Sequence, residues 1–161
     1  ECRLTGLLIL IEKYKKADLK EKEKIFKFYL KHSKYINNWD LVDLSAPQII
    51  GNFLLDKERD VLYKLAKSKN LWKKRISIVS TYTFIRNNDF KDTITISEIL
   101  LKDEHDLIHK AVGWMLREMG KRNKKIEVEF LNKYYKTMPR TMLRYSIEKF
   151  SEEKKKKYMN K

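Results

Sequence analysis

Apolar residues recur at spacings of three and four along nearly the whole chain, and this periodicity constrains the fold more than any other feature of the sequence. Ile25, Phe26, Tyr29 and Leu30 follow the pattern in one segment. On an α-helix such residues share one face, so the pattern is typical of amphipathic helices. The chain has only four glycines and two prolines, too few for the tight turns that many short strands need. We therefore predict an all-α fold.

The same pattern predicts nine helices that are separated by short breaks. Polar or helix-breaking residues mark the breaks at Asn37-Asn38, Asn70, Asn87-Asn88-Asp89, Gly120 with Asn123, and Met138-Pro139. The predicted spans are 1–15, 18–36, 40–54, 57–69, 71–87, 93–103, 106–120, 124–137 and 140–157. Helices joined by short turns fold back on one another as antiparallel hairpins.

An internal repeat appears when the basic residues that open apolar helices are aligned. These residues are Arg3, Arg75, Lys110 and Arg144, and their separations are 72, 35 and 34. The first separation is about twice the others, so a further unit is expected near residue 39. Stacked helix pairs of this length predict a HEAT-like helical repeat solenoid with an extended concave surface. An irregular α-bundle is the alternative.

The charge balance indicates a polyanionic partner. The 37 Lys and Arg residues outnumber the 22 Asp and Glu residues and give a net charge of +15. Nucleic acid is the expected partner of such a surface, and a merely solvated basic surface is the alternative. The Lys-rich segment 154–157 is expected to be a solvated helix end or, as a second possibility, a non-specific DNA contact.

Cysteine usage and hydropathy favour a cytoplasmic protein. Cys2 is the single cysteine, which excludes an intrachain disulfide and fits a reducing compartment. The longest apolar run, Leu7 to Ile11, is too short to cross a bilayer.

Two groups of residues are candidates for chemistry. Trp39 and Asp43 are four residues apart, so they project from one helix face. A second stripe places three cations and an aromatic on one face: Lys110, Trp114, Arg117 and Lys121. Cations that bind phosphates and aromatic rings that contact sugars or bases are what DNA binding requires. The alternative is that each tryptophan packs in the core, as we expect for Trp72, while the cations only solvate their helices.

Three segments resemble the AlkD-like DNA alkylation repair family in order and spacing. They are NWDLVD at 38–43, LWKKRISI at 71–78 and KAVGWMLRE at 110–118. The similarity extends over essentially the whole chain, down to MPRTMLRY at 138–145. It implies a single domain over residues 1–161 that lacks the family's N-terminal helices. The chain also begins Glu-Cys-Arg without an initiator Met, so we expect that an N-terminal piece is missing.

The resemblance implies a monomeric DNA glycosylase that hydrolyses the N-glycosidic bond of N3- or N7-alkylated purines in double-stranded DNA without a cofactor. By carry-over of matching positions, Asp43 is the catalytic carboxylate. Trp39 and Trp114 are the aromatic pair against the sugar of the lesion, and Arg75 and Arg117 are cations that contact the DNA backbone. The family is also known for leaving the damaged base stacked.

The chemistry agrees with these residue types. Alkylation makes the purine cationic and a good leaving group, so no strong general acid is needed. Its departure leaves an oxocarbenium-like sugar that requires a nearby negative charge and a water molecule. Asp43 can supply the negative charge and bind the water molecule. The ring faces of Trp39 and Trp114 can stabilise the developing positive charge on the sugar by about 0.5–2 kcal/mol each.

The sequence gives weaker support to a metal site. His105 and His109 share a helix face, but no third ligand with suitable spacing is present, so no metal site is expected. Two rival functions stay open at this point. One is a non-catalytic protein that recognises DNA shape through the backbone, and the other is a HEAT-like protein scaffold.

Overall fold

The computed structural model describes residues 2–160, and within that range it contains ten α-helices and no strand. In chain order the helices are α1 Cys2–Lys16, α2 Leu19–Lys31, α3 Trp39–Ala46, α4 Asp60–Ala66, α5 Leu71–Arg86, α6 Lys91–Ile99, α7 Asp106–Arg122, α8 Lys124–Tyr134, α9 Arg140–Ser146 and α10 Glu152–Met159. The predicted all-α class is confirmed. None of the described helices is long and apolar enough to cross a membrane.

Helices α3 to α10 form two layers. In the first layer, α3 packs against α5, α5 against α7 and α7 against α9. In the second layer, α4 and α6 pack on α5, α8 packs on α7, and α10 packs on α9. Helix pairs stacked in this way are the arrangement of a HEAT-like helical repeat, as the spacing of the basic residues predicts.

The repeat places equivalent residues near the start of neighbouring helices. The fifth residues of α5, α7 and α9 are Arg75, Lys110 and Arg144. The fifth residue of α3 is Asp43. One carboxylate therefore occupies the position at which the next three units carry cations.

Helix α5 is the centre of the core. From Arg75 to Ile85 every residue except Tyr82 is buried. Its serine and threonine hydroxyls donate to carbonyl oxygens, including that of Ser77 to Leu62 O at 2.7 Å, which satisfies polar groups that burial would otherwise penalise. Neighbours surround α5 on nearly all sides and hold its backbone in place. The side chains that α5 directs toward the first layer therefore start from fixed positions.

The predicted helix 40–54 is helical over residues 39–53, but its geometry changes within that span. Helix α3 ends at Ala46 and continues as a π-helical turn over Pro47–Gly51. The carbonyl of Pro47 accepts the local bond of this wider turn from the Asn52 amide. It also accepts a hydrogen bond of 2.8 Å from the Thr83 hydroxyl of α5. A contact with a distant helix therefore adds to the local bond, and periodicity alone does not reveal it.

The prediction of a single helix over 140–157 is wrong. Helix α9 ends at Ser146, and α10 begins after Ser151, whose side chain accepts a hydrogen bond from the amide of Lys154. Between them Ile147 and Phe150 are buried, and the Lys124 ammonium lies 3.2 Å from the centre of the Phe150 ring. The break turns these apolar residues toward the core. The predicted span 18–36 likewise ends as a helix at Lys31 and continues as a 3₁₀ turn over Ser33–Tyr35.

Candidate functional site

A cleft of about 340 Å³ opens where α3, α5, α7 and α9 meet, and we call it the central cleft. It is lined by Trp39, Asp43, Arg75, Leu107, Lys110, Trp114, Arg117 and Tyr145. Six of the seven predicted site residues are among them. The seventh, Lys121, lies further along α7 and does not line the cleft.

Asp43 and Arg75 form a two-pronged ion pair inside the cleft. Arg75 Nε donates to Asp43 Oδ1 at 2.9 Å, and Arg75 Nη2 donates to Asp43 Oδ2 at 2.8 Å. The Asp43 side chain is 19% exposed, and the Arg75 side chain is 6% exposed. A planar guanidinium that meets both carboxylate oxygens fixes their orientation as well as their position.

A main-chain carbonyl holds the remaining part of the guanidinium. Arg75 Nη1 donates to the carbonyl oxygen of Leu107, in the first turn of α7, at 2.5 Å. Arg75 therefore joins α3, α5 and α7 at the floor of the central cleft. Its expected contact with the DNA backbone stays a prediction, and without DNA all three of its nitrogen atoms donate within the protein.

The two tryptophans line the cleft from different helices and in different environments. Trp39 is the first residue of α3 and is 53% exposed. The side chain of Asn38 accepts a hydrogen bond from the Trp39 amide and caps the helix. Trp114 is half-buried, and its ring lies 6.0 Å from the ring of Tyr82. The core alternative thus fails for Trp39, whereas Trp72 packs against the core as expected.

Close packing of α9 brings Tyr145 to the cleft. A Cβ atom added at Gly113 of α7 would lie 2.5 Å from the carbonyl oxygen of Met142 and 2.5 Å from Tyr145 Cβ. Only glycine leaves room for this approach of α9. Tyr145 was absent from the predicted site, although it directly follows Arg144, which the repeat had singled out.

Carboxylates pair with each of the cations predicted on α7. Lys110 Nζ lies 2.7 Å from Asp106 Oδ2, and Lys121 Nζ lies 2.7 Å from Glu118 Oε1. Arg117 Nη1 bonds Glu148. The hydrogen bond from Lys110 lowers the pKa of Asp106 below its ordinary value, and the same bond raises the pKa of Lys110. A phosphate that binds these cations therefore competes with neighbouring carboxylates.

The paired histidines have structural partners. His105 caps α7, since its Nδ1 accepts a hydrogen bond from the Leu107 amide at 3.2 Å. The ring nitrogen Nε2 of His109 lies at hydrogen-bond distance from the carbonyl oxygen of Asp103. Within residues 2–160, His, Cys, Asp and Glu side chains form no group of three that suits a metal ion.

Comparison with known proteins adds one finding. A family model described as DNA alkylation repair enzyme matches residues 1–150, which is most of the chain. A search of curated proteins found no match.

Proposed function

The chain belongs to the DNA alkylation repair enzyme family, and on that premise we propose that it is a DNA glycosylase. It hydrolyses the N-glycosidic bond of N3- or N7-alkylated purines in double-stranded DNA. The observation that carries the proposal is the oriented carboxylate of Asp43 in the central cleft, which two tryptophans also line.

Asp43 supplies the negative charge that the reaction needs. It is the only carboxylate among the described residues that line the central cleft. As the bond between C1′ and the purine nitrogen breaks, its electron pair passes to the cationic purine and neutralises it. The sugar becomes oxocarbenium-like, and a carboxylate held nearby stabilises that positive charge. A water molecule then bonds to C1′, and its proton passes to Asp43 or to solvent.

Arg75 orients this carboxylate without removing its charge from the cleft. Its guanidinium binds Asp43 from the side of α5, and the partial exposure of Asp43 leaves one side of the carboxylate open to the cleft. Preorganised charge of this kind is worth more than a mobile carboxylate in water, because no reorganisation is needed during the reaction.

The two tryptophans are suited to hold the sugar of the damaged nucleotide. Trp39 is exposed and is free to rest against a ligand, while Trp114 is supported from behind by Tyr82. Ring faces directed at a developing cation contribute about 0.5–2 kcal/mol each. We assign Lys110 and Arg117, at the edge of the cleft, to the DNA backbone, with Lys121 one turn further along α7.

The direct test is release of 7-methylguanine from alkylated duplex DNA. Asp43→Asn serves as the paired variant, because it keeps the shape of the side chain and removes its charge. Release by the chain and loss of release in Asp43→Asn support the proposal. An equal rate in the two proteins contradicts the role of Asp43.

A non-catalytic DNA-binding protein is the second candidate. The observation that favours it is the ion pair itself, because Arg75 binds both oxygens of Asp43, as a purely structural ion pair would. This candidate predicts salt-sensitive binding to duplex DNA with no base release at any enzyme concentration.

A further inference from the structure

A second cleft lies beside the central cleft, and the proposed function does not use it. Its volume is about 270 Å³, and it lies between the π-helical turn and the last two turns of α5. We call it the flanking cleft. The polar side chains that matter here are those of Gln48, Asn52, Tyr82, Arg86 and Asn87.

One aromatic contact connects the flanking cleft with the central cleft. The ring of Tyr82 lines the flanking cleft and contacts Trp114, which lines the central cleft. Arg75, Tyr82 and Arg86 are seven and four residues apart on α5, so they lie on one face of that helix. Eleven residues of α-helix span roughly 16 Å. A duplex of that length carries about nine phosphate charges.

Arg86 differs from the cations on α7 because no acidic side chain of the described residues pairs with it. Lys110, Arg117 and Lys121 are each paired with a carboxylate. Arg86 is exposed and forms no ion pair or side-chain hydrogen bond with any residue in the range 2–160. A phosphate that approaches Arg86 therefore displaces no carboxylate.

The lining of the flanking cleft has the chemistry of a phosphodiester site. None of its lining residues in the described chain is acidic, so no carboxylate in its lining repels an anion. The Asn52 and Asn87 amides each donate to a carbonyl oxygen of their own helical turn, and the amide of Gln48 and the hydroxyl of Tyr82 have no hydrogen-bond partner in residues 2–160. Arginine, amide and tyrosine side chains are typical contacts of the DNA backbone. The full charge of Arg86 outweighs the partial negative charge, about half a unit, at the end of α5.

We propose that the flanking cleft binds the sugar–phosphate backbone of the DNA duplex beside the damaged nucleotide, with Arg86 as its anchoring cation. This inference rests on the proposed function for the identity of the ligand. It adds a binding site that holds the duplex in register while Asp43 acts at the lesion.

The test measures binding and chemistry separately. Affinity for a short undamaged duplex is measured over a range of salt concentrations for the unsubstituted chain, Arg86→Ala, Arg86→Lys and Lys64→Ala. Lys64 is exposed on α4 in the second layer, so Lys64→Ala removes the same charge away from both clefts. Release of 7-methylguanine at saturating protein is measured in parallel.

We expect Arg86→Ala to weaken binding about tenfold at low salt and to lower the slope of log affinity against log salt by about 0.9. Arg86→Lys should retain the slope and lose part of the affinity, because lysine keeps the charge but not the planar fork. Release at saturating protein shows separately whether the chain excises the base. Identical affinity and salt slope in Arg86→Ala and Lys64→Ala would overturn the proposal. If Arg86→Ala alone weakens binding while no protein releases the base, the flanking cleft stands and the glycosylase proposal fails.

Discussion

Arg75 Nε and Nη2 bind the two oxygens of Asp43 at 2.9 and 2.8 Å, although 32 residues separate the two side chains in the sequence. The two residues hold the same position in successive units of the repeat, the fifth residue of α3 and of α5. Neighbouring helices of a solenoid bring equivalent positions together, so the repeat itself places a cation beside the carboxylate.

Removal of the Arg75 charge should destabilise the fold. Arg75 is 5% exposed, and its loss leaves Asp43 and the Leu107 carbonyl without their donor. We expect Arg75→Met to lower the free energy of unfolding by about 3 kcal/mol or more. Chemical denaturation of Arg75→Met, Asp43→Asn and the double variant measures the coupling, which should be about 1–3 kcal/mol. Additive effects would show that the ion pair does not link the two helices.

The two tryptophans should separate function from stability. Trp39 is exposed, so Trp39→Ala should change the free energy of unfolding by no more than about 0.5 kcal/mol while it slows base release. Trp114 contacts Tyr82 and packs against the core, so Trp114→Ala should lower both the rate and the stability. Thermal unfolding and base release, measured on the same samples, distinguish an effect on the rate from an effect on stability. A stable Trp39→Ala with an undiminished rate would remove Trp39 from the site.

Glu127 should make the stability of the fold depend on pH. The side chain is 1% exposed, and burial raises its pKa to about 7, against the opposing effect of Lys124. The folded chain therefore binds a proton more tightly than the unfolded chain does. The resulting stabilisation is complete below about pH 4.5 and is lost as the pH rises through about 7.

The variant Glu127→Gln tests this linkage, because an amide resembles the protonated acid and does not titrate. Between pH 5.5 and pH 8 we expect the free energy of unfolding of the unsubstituted chain to fall relative to that of the variant, by roughly 1–3 kcal/mol. Denaturant titrations at both pH values provide the comparison. Parallel pH profiles for the two proteins would contradict the assignment.

A larger residue at Gly120 should displace the buried Glu127 side chain. A Cβ atom there would lie within van der Waals overlap of the Glu127 carboxylate, whose carbon would be 2.2 Å away. We expect Gly120→Ala to destabilise the chain by about 1–3 kcal/mol. Ser146→Ala is a useful comparison, since Ser146 is also buried in a helix but an alanine fits there without a clash. If Gly120→Ala is no less stable than Ser146→Ala, the packing of α8 on α7 differs from that described.

The sequence predicts the helices well because apolar periodicity and capping residues are local signals. Asn38, Asn70 and Asn123 accept hydrogen bonds from the first turns of α3, α5 and α8, as their positions indicate. The failures occur where distant contacts decide. The π-helical turn is bonded by Thr83 from α5, and the break before α10 accompanies the burial of Phe150.

The site shows the same division. The spacing of Trp39 and Asp43 predicts that they share one helix face. The spacing of the cations and Trp114 on α7 likewise predicts that they share one face. The bond between Asp43 and Arg75 joins two different helices, so the spacing of residues within one helix does not predict it. Tyr145 reaches the cleft only because Gly113 admits α9, and the Leu107 carbonyl carries no side-chain signal at all.

The central claim is that the charge of Asp43 performs the reaction, and one paired measurement tests it most directly. The single-turnover rate of 7-methylguanine release and the affinity for the same duplex are measured for Asp43→Asn and for Asp56→Asn, a control at an exposed aspartate outside the central cleft. We predict that Asp43→Asn loses at least a hundredfold in rate, on the order of the effect of one electrostatic group, and keeps its affinity, while Asp56→Asn changes neither. Release by Asp43→Asn at the rate of Asp56→Asn would contradict the account.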